Sequence, residues 1–321
     1  EKKEGIILLQ NRRGYAPFIE CHECGYVERC DRCEVTMTFH LAKKHLRCHY
    51  CGKVKPPPDV CPQCKGIQLK LHGFGTQRVE QDLQTLFPSA KILRMDMDTT
   101  TRKGSHDKLL KQFGSGDADI LLGTQMVAKG LDFPRVTLVG VISADTQMML
   151  PDFRSAERTF QLLTQVAGRA GRSTLKGEVI IQTYQPAHYT LKHVVDHNYV
   201  EFYKEEIENR RSVLYPPFSR VVLIEFKGPN EVKIKKAAEQ FVGRLKSYYE
   251  SALVLGPTAA VISKIKNNFR YQALVKADRE KDKNGTIVRH AVMRVVQEML
   301  STTGKRSGVK IIVDVDPQGT M

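Results

Sequence analysis

The sequence predicts an α/β domain built on a parallel sheet, interrupted by a module that binds two zinc ions and followed by a smaller α+β domain. Three observations predict this arrangement. Strand and helix patterns alternate through the first half of the chain. All eight cysteines fall into four C-x-x-C pairs near its beginning. A β-α-β-β-α-β order then closes the chain, and 321 residues suffice for about two or three domains.

The composition is that of a globular protein. Hydrophobic residues make up 41% of the chain and charged residues 26%, which excludes a mainly disordered, collagen-like or coiled-coil architecture. The longest apolar stretch, Val136 to Ala144, is far shorter than the roughly 20 residues of a membrane span, so we expect no membrane partner. The chain begins at Glu1 and no signal-peptide pattern follows, so we expect a cytosolic piece of a longer protein.

The charge balance favours a polyanionic partner. The formal net charge is +15 at pH 7, which suits nucleic acid. A solvated basic surface is the alternative. Charge alone does not distinguish DNA, RNA and acidic protein tails.

The cysteine spacing predicts two structural zinc sites. A C-x-x-C turn directs two sulfurs to one point, and two such turns complete a tetrahedral shell without an open position. Disulfides are less expected in a chain that has no secretory signal. A strand pattern over 35–41 and a turn at Lys43 and Lys44 would return Cys48 to the side of Cys33. We therefore expect a nested pairing, with Cys30, Cys33, Cys48 and Cys51 on one zinc and Cys21, Cys24, Cys61 and Cys64 on the other.

The elements of the parallel sheet follow from apolar periodicity. One strand, Ile6 to Leu9, precedes the cysteines. The elements after them are helix Val79–Phe87, strand Ile92–Met95, helix Ser105–Phe113, strand Ile120–Leu122, strand Val136–Ile142, helix Phe153–Arg172 and strand Glu178–Thr183. The zinc module, 21–70, is therefore predicted to be an insertion between 1–20 and 71–184.

Two segments of this domain are candidates for chemistry. The first, G-T-Q-M-V-A-K-G-L-D-F at 123–133, follows a strand, and ligands bind at the carboxyl ends of strands in such sheets. Many loops of this kind are only turns. The second, Q-V-A-G-R-A-G-R at 165–172, would place Gln165, Arg169 and Arg172 on one face of a helix. Paired guanidiniums suit phosphate, although a helix end with incidental basic residues is the alternative.

The C-terminal part predicts a helical connector over 185–214 and a split βαβ domain over 215–321. The pattern gives strand 221–226, helix 232–249, strands near 253 and over 271–276, helix 288–300 and strand 309–315. Lys264, Lys266 and Arg270 alternate with amide and aromatic residues, a mixture that can hold phosphates and stack a base. Core packing is the alternative for those aromatic residues.

Longer motifs identify a family. The segments 123–134 and 165–172 together resemble the last motifs of superfamily 2 helicases, in their second RecA-like lobe. Further matches link the whole chain to the bacterial primosomal protein N′ (PriA) family of replication-restart helicases. These are N-R-R-G-Y-A-P at 11–17, the four C-x-x-C pairs, G-F-G-T-Q-R at 73–78, Y-P-P-F at 215–218 and V-D-V-D-P at 313–317.

The resemblance implies roles for the motif residues. Arg172 would be the arginine finger on the γ-phosphate of ATP, assisted by Arg169, and Gln165 would link the nucleotide to motor movement. The DNA backbone would be contacted by Thr124 and Gln125. The nucleotide state would be reported by the segment that contains Gly130 and Asp132. ATP and Mg²⁺ are the cofactors of the complete protein.

The resemblance also implies the biological role. The complete protein would be an ATP-dependent 3′-to-5′ DNA helicase that recognises stalled or branched replication forks and initiates primosome assembly in the bacterial cytoplasm, at the nucleoid. Its partners would be branched and single-stranded DNA, the acidic C-terminal tail of single-stranded DNA-binding protein and other primosome proteins. The alternative is a non-enzymatic, zinc-dependent binding scaffold on a degenerate RecA-like lobe.

The chain should not hydrolyse ATP by itself. It contains no G-x-x-x-x-G-K-[ST] loop to hold phosphates and no D-E-x-H segment to hold Mg²⁺, so we expect the first helicase lobe to supply both. We predict negligible phosphate release from ATP when the 321-residue chain is incubated with single-stranded DNA. Covalent presence of the lobe that carries these motifs should restore it. Robust turnover by the chain alone would refute this prediction.

Overall fold

A computed structural model of the chain describes residues 4–10, 18–33, 35–40, 44–48, 50–72, 76–96, 99–100, 104–128, 133–170, 176–303 and 308–319. The chain divides into two compact units. The first contains Glu1–Pro17, Leu71–Leu150 and Arg154–Glu206, and the second contains Phe18–Lys70, Pro151–Phe153 and Ile207–Met321.

The strands, in chain order, are β1 Gly5–Leu9, β2 Phe18–Cys21, β3 Thr38–His40, β4 His45–Arg47, β5 Val54–Lys55, β6 Leu69–His72, β7 Ile92–Met95, β8 Ile120–Gly123, β9 Val136–Val141, β10 Glu178–Ile181, β11 Ser219–Gly228, β12 Leu253–Ile265, β13 Asn268–Asp278 and β14 Lys310–Val315. The helices are α1 Thr76–Leu86, α2 Ser105–Gly114, α3 Asp145–Met148, α4 Ser155–Ala167, α5 Tyr189–Val195, α6 Tyr199–Ser212, α7 Glu231–Tyr248 and α8 Thr286–Thr303.

The first unit is built on the predicted parallel sheet, with strand order β10-β9-β1-β8-β7. All four residues of β8 are buried, as expected for a strand that is covered on both faces. Because β1 lies in the centre of this sheet and the cysteines follow it, the zinc module is an insertion. Gly140 of β9 leaves room for Leu8, whose side chain would lie 2.7 Å from a Cβ at that position.

Helix α4 is shorter than predicted. It ends at Ala167 rather than at Arg172, because Gly168 and Gly171 weaken the helix by roughly 1 kcal/mol each relative to alanine. After Gly168, the Arg169 amide donates to the Val166 carbonyl at 3.0 Å, a tighter turn than an α-helix makes. The predicted helical face shared by Gln165 and Arg169 is therefore wrong, and Arg172 lies outside the described residues.

The zinc module contains short strands only. The predicted strand over 35–41 is reduced to β3, which pairs with β4 so that His40 opposes His45. Lys44 lies in the connecting turn with φ of 47°, whereas Lys43 is outside the described residues. Strands β3, β4 and β5 form one small sheet, and β2 and β6 form another. This hairpin returns Cys48 toward Cys33, as the spacing predicts.

The C-terminal domain has the predicted split βαβ topology. Its four strands are antiparallel in the order β12-β13-β11-β14. Alternate residues of β11, namely Val222, Ile224 and Phe226, pack in one buried cluster with residues of α7 and α8. Strands β12 and β13 are longer than predicted because their pairing continues beyond two register shifts to the tip at Ile265 and Asn268.

Among the described residues, every helix is too short or too polar to serve as a membrane span.

A buried carboxylate fixes the start of α8. Asp282 is 3% exposed and its oxygens accept hydrogen bonds from the amides of Ile287 at 3.3 Å and Val288 at 2.9 Å. Replacing such an acceptor with alanine costs about 1–2 kcal/mol. We predict that Asp282→Ala accelerates hydrogen exchange of the α8 amides by roughly 5- to 30-fold. The exposed Glu280 provides the control, and an equal effect of Glu280→Ala would contradict this assignment.

Candidate metal centres and motor motifs

The eight cysteine thiols form two clusters. In each cluster the four sulfurs lie within 4.8 Å of one another. The grouping is the nested one that the spacing predicts. We call Cys30, Cys33, Cys48 and Cys51 the inner cluster, and Cys21, Cys24, Cys61 and Cys64 the outer cluster.

The distances between sulfurs fit zinc. The Sγ atoms are 3.6 Å apart in the pairs Cys21–Cys64, Cys24–Cys61 and Cys30–Cys51. A tetrahedron with Zn–S bonds of about 2.3 Å has edges of about 3.8 Å, whereas a disulfide would bring two sulfurs to about 2.05 Å. Four thiolates leave no open position, so both sites are structural.

Local backbone turns create this geometry. In every pair for which the structure describes the residue after the second cysteine, that residue has a positive φ, namely Gly25 at 72°, Gly52 at 78° and Lys65 at 64°. Each of these residues donates its amide to the carbonyl of the first cysteine of its pair. The turn folds both sulfurs toward one point. Glycine is favoured at such a position because it has no Cβ to clash.

The electrostatics also require a cation. Burial raises the pKa of the thiols of Cys30, Cys33 and Cys48, whereas hydrogen bonds outweigh burial and lower the pKa of Cys51 to about 7, so four neighbouring thiolates do not form there unaided. A divalent metal deprotonates its thiol ligands. The distances and the burial together fit two structural zinc ions.

The first motor motif lies at the carboxyl end of β8. Thr124 follows the strand directly, and its amide donates to the Met95 carbonyl at 3.4 Å. A single 3-10 turn, Gln125–Ala128, continues the segment, and both Thr124 and Gln125 are partly exposed. Gly130 and Asp132 lie outside the described residues.

The second motor motif packs against the first. Helix α4 contacts the 3-10 turn, and Val127 and Val166, each 1% exposed, belong to the same buried cluster. Gln165 is exposed at the end of α4 and Arg169 is half-buried just beyond it. The two motifs are therefore held in one lobe. The roles of these residues, like that of Arg172, stay predictions.

Sequence reasoning missed a buried acid at the same sheet edge. Asp96, 7% exposed, follows β7 and accepts hydrogen bonds from the Thr76 hydroxyl at 2.6 Å and the Thr99 amide at 3.0 Å. Although burial alone would raise the pKa of Asp96, these bonds and the charge of Arg94 hold it below its ordinary value. The signal was available, because Asp96 directly follows a predicted strand and Thr76 belongs to the G-F-G-T-Q-R motif.

The three basic residues of the C-terminal domain have different surroundings. The guanidinium of Arg270 forms an ion pair with Glu225 at 2.5 Å, and the Lys264 ammonium lies 3.4 Å from the Asp31 carbonyl. Lys266 is exposed. The structure therefore does not present them as one group of free cations, and their contact with DNA stays a prediction.

Comparison with known families agrees with this arrangement. Residues 30–56 match the PriA DNA helicase Cys-rich region domain, 73–174 the helicase conserved C-terminal domain, and 211–318 the primosomal protein N C-terminal domain. Three matches in this order, two of them particular to one protein, decide the assignment. The chain belongs to the PriA family.

Individual PriA proteins are similar along the whole chain. The replication restart protein PriA of Bacillus subtilis (strain 168) is 46% identical over 317 residues, which are 98% of this chain and 39% of that protein. PriA of Chlamydia trachomatis is 41% identical over 323 residues, or 100% of this chain and 42% of that protein. The chain therefore spans about two fifths of the length of these PriA relatives.

Among solved structures, the C-terminal domain of the DEAD-box protein Dbp5 is 18% identical, with a TM-score of 0.29 over 43% of this chain and 75% of that domain. This overlap is too low to carry a conclusion. The RecA-like lobe of this PriA chain rests on its parallel sheet and on the helicase family match.

Each cluster should hold one zinc ion even when the other cluster is disabled. Cys48→Ser and Cys61→Ser are each expected to lower the zinc content, measured by elemental mass spectrometry, from two ions to one per chain. Each zinc contributes folding free energy on the order of 10 kcal/mol. Chelation should therefore remove the hydrogen-exchange protection of residues 21–64 while β1, β8 and β9 keep theirs. Loss of both ions in either single variant would contradict two separate sites.

Proposed function

We propose that this chain is the ATP-coupling and DNA-guiding part of a 3′-to-5′ DNA helicase that restarts replication at stalled or branched forks. The observation that carries the proposal is the shared core of the two motor motifs. Helix α4 contacts the 3-10 turn, and Val127 and Val166 belong to one buried cluster, so a movement of Gln165 and Arg169 would be passed on to Thr124 and Gln125. A motor needs such a connection between its nucleotide end and its DNA end.

The nucleotide end is incomplete in this chain. Arg169 and Arg172 would contact the γ-phosphate of an ATP molecule whose other contacts come from another lobe. ATP, when bound with Mg²⁺, supplies the phosphoryl group that is transferred to water. The half-buried Arg169, which directly follows Gly168, offers a planar, permanently charged donor suited to phosphate. Gly130 and Asp132 would complete the link to the DNA end.

The proposed DNA end of the lobe contains uncharged hydrogen-bonding side chains. Thr124 and Gln125 are partly exposed at the end of β8, and hydroxyl and amide side chains position a nucleic-acid backbone without reading its sequence. The net charge of +15 adds a general attraction, to which Lys264 and Lys266 contribute.

The proposed partners follow from the same charge. Branched and single-stranded DNA and the acidic tail of single-stranded DNA-binding protein are all polyanions. Other primosome proteins would assemble on the complete protein in the bacterial cytoplasm, at the nucleoid. These partners are family expectations that the basic charge supports.

Arg172→Ala in the complete protein tests the motor role. An arginine finger contributes about 10³–10⁵ to the rate, so DNA-stimulated ATP hydrolysis and unwinding should fall by at least about 10³. Affinity for forked DNA, measured by fluorescence anisotropy, should stay nearly unchanged. These two readouts separate chemistry from binding.

A matched variant removes a cation elsewhere in the lobe. Lys111 is exposed on α2, and Lys111→Ala should alter neither unwinding nor fork affinity. If Arg172→Ala mainly weakens DNA affinity while ATP hydrolysis persists, the non-enzymatic scaffold is supported instead.

A further inference from the structure

The tip of the β12–β13 hairpin, residues 264–268, has an unusual backbone. Ile265 pairs with Asn268, and the two residues between them, Lys266 and Asn267, have φ of 50° and 59°. This is the two-residue turn that suits the twist of a hairpin. Asparagine adopts this conformation readily, but for lysine it is strained. Strain of this kind persists where surrounding contacts hold the residue in place.

Those contacts come from the inner cluster. The Lys266 amide donates to the Cys33 sulfur at 3.2 Å, and the Asn267 amide donates to the Arg32 carbonyl at 2.9 Å. The positive φ angles turn both amides toward the same C-x-x-C segment. Ile265 packs against the buried cluster that contains Cys30, Cys33 and Cys48. The hairpin tip therefore makes polar and apolar contacts with one zinc site.

An amide that donates to a zinc-bound sulfur stabilises the thiolate. Loss of partners that support metal ligands typically costs 10- to 100-fold in metal affinity. In the inner cluster, one such donor is 233 residues away from its sulfur. In the outer cluster, the donors within the described part of the chain are local, such as Cys64 to the Cys61 sulfur at 3.5 Å and Gly66 to the Cys64 sulfur at 3.4 Å.

We propose that the hairpin tip of the C-terminal domain stabilises zinc binding at the inner cluster, so that zinc retention and hairpin docking are coupled. The outer cluster is self-sufficient. The coupling is reciprocal. If the docked hairpin raises the zinc affinity of the inner cluster by some factor, bound zinc raises the equilibrium constant for hairpin docking by the same factor. Loss of zinc from the inner cluster frees the tip, including the Lys264 ammonium that now lies 3.4 Å from the Asp31 carbonyl.

Site-resolved zinc release tests the forward direction. The zinc-loaded chain is mixed with excess EDTA and N-ethylmaleimide, and peptide mass spectrometry follows the alkylation of each cysteine. Ile265→Ala removes apolar contact with the inner cluster and should accelerate alkylation of its four cysteines about tenfold. The outer cluster should react at the original rate. Equal acceleration of both clusters, or of neither, would overturn the proposal.

Two further variants separate causes. Val261 lies on the same strand and is 65% exposed, so Val261→Ala should leave both rates unchanged. Lys266→Gly keeps the amide and tolerates the positive φ, so it should also retain the original rate for the inner cluster. If Lys266→Gly accelerates zinc release, the lysine side chain matters rather than its amide, and the proposed contact is wrong.

Hydrogen exchange tests the reverse direction in the same chain. Cys48→Ser disables the inner cluster, and the amides of residues 266–268 should then exchange about tenfold faster. Cys61→Ser, which disables the outer cluster, should leave those amides protected. Unchanged protection in Cys48→Ser, with zinc lost from the inner cluster, would overturn the coupling.

Discussion

Mutual repulsion of thiolates is the constraint on which the zinc module depends. Four sulfurs held within 4.8 Å of one another cannot all carry charge unless a cation lies among them. The strands around them have two to four residues each, too few to form a stable sheet without help. Metal ligation thus replaces the apolar core that such a short segment cannot build.

The helicase lobe is held by a different force. Helix α4 packs on the 3-10 turn, and Val127 and Val166 of the two motor motifs belong to one buried apolar cluster. Asp96 contributes to the same edge by fixing Thr76 at the start of α1. A rigid apolar interior with polar groups at the ends of its strands is the usual way in which α/β proteins present a ligand site.

Sequence reasoning succeeded where the signal was local. The C-x-x-C turns, the buried strand β8 and the alternating apolar residues of β11 are each encoded within a few residues. It failed at the end of α4, because the spacing of the apolar and basic residues does not reveal that glycine weakens the helix enough to end it at Ala167. The length of β12 and β13 was missed because their pairing continues past two register shifts. The contact of Lys266 with Cys33 could not be predicted from the sequence, since no local pattern connects residues that are 233 positions apart.

The early stop of α4 has a consequence for how the guanidinium of Arg169 is aimed. Gly168 has φ of −65°, which any amino acid can adopt, so a side chain there is sterically permitted by the backbone. A glycine at this place acts by discouraging one more helical turn. Alanine at position 168 would favour continuation of the helix, because its helix propensity is higher than that of glycine. Each residue added to the helix rotates the next side chain by about 100° around the axis. The direction of the Arg169 side chain therefore depends on the absence of a Cβ methyl group at Gly168.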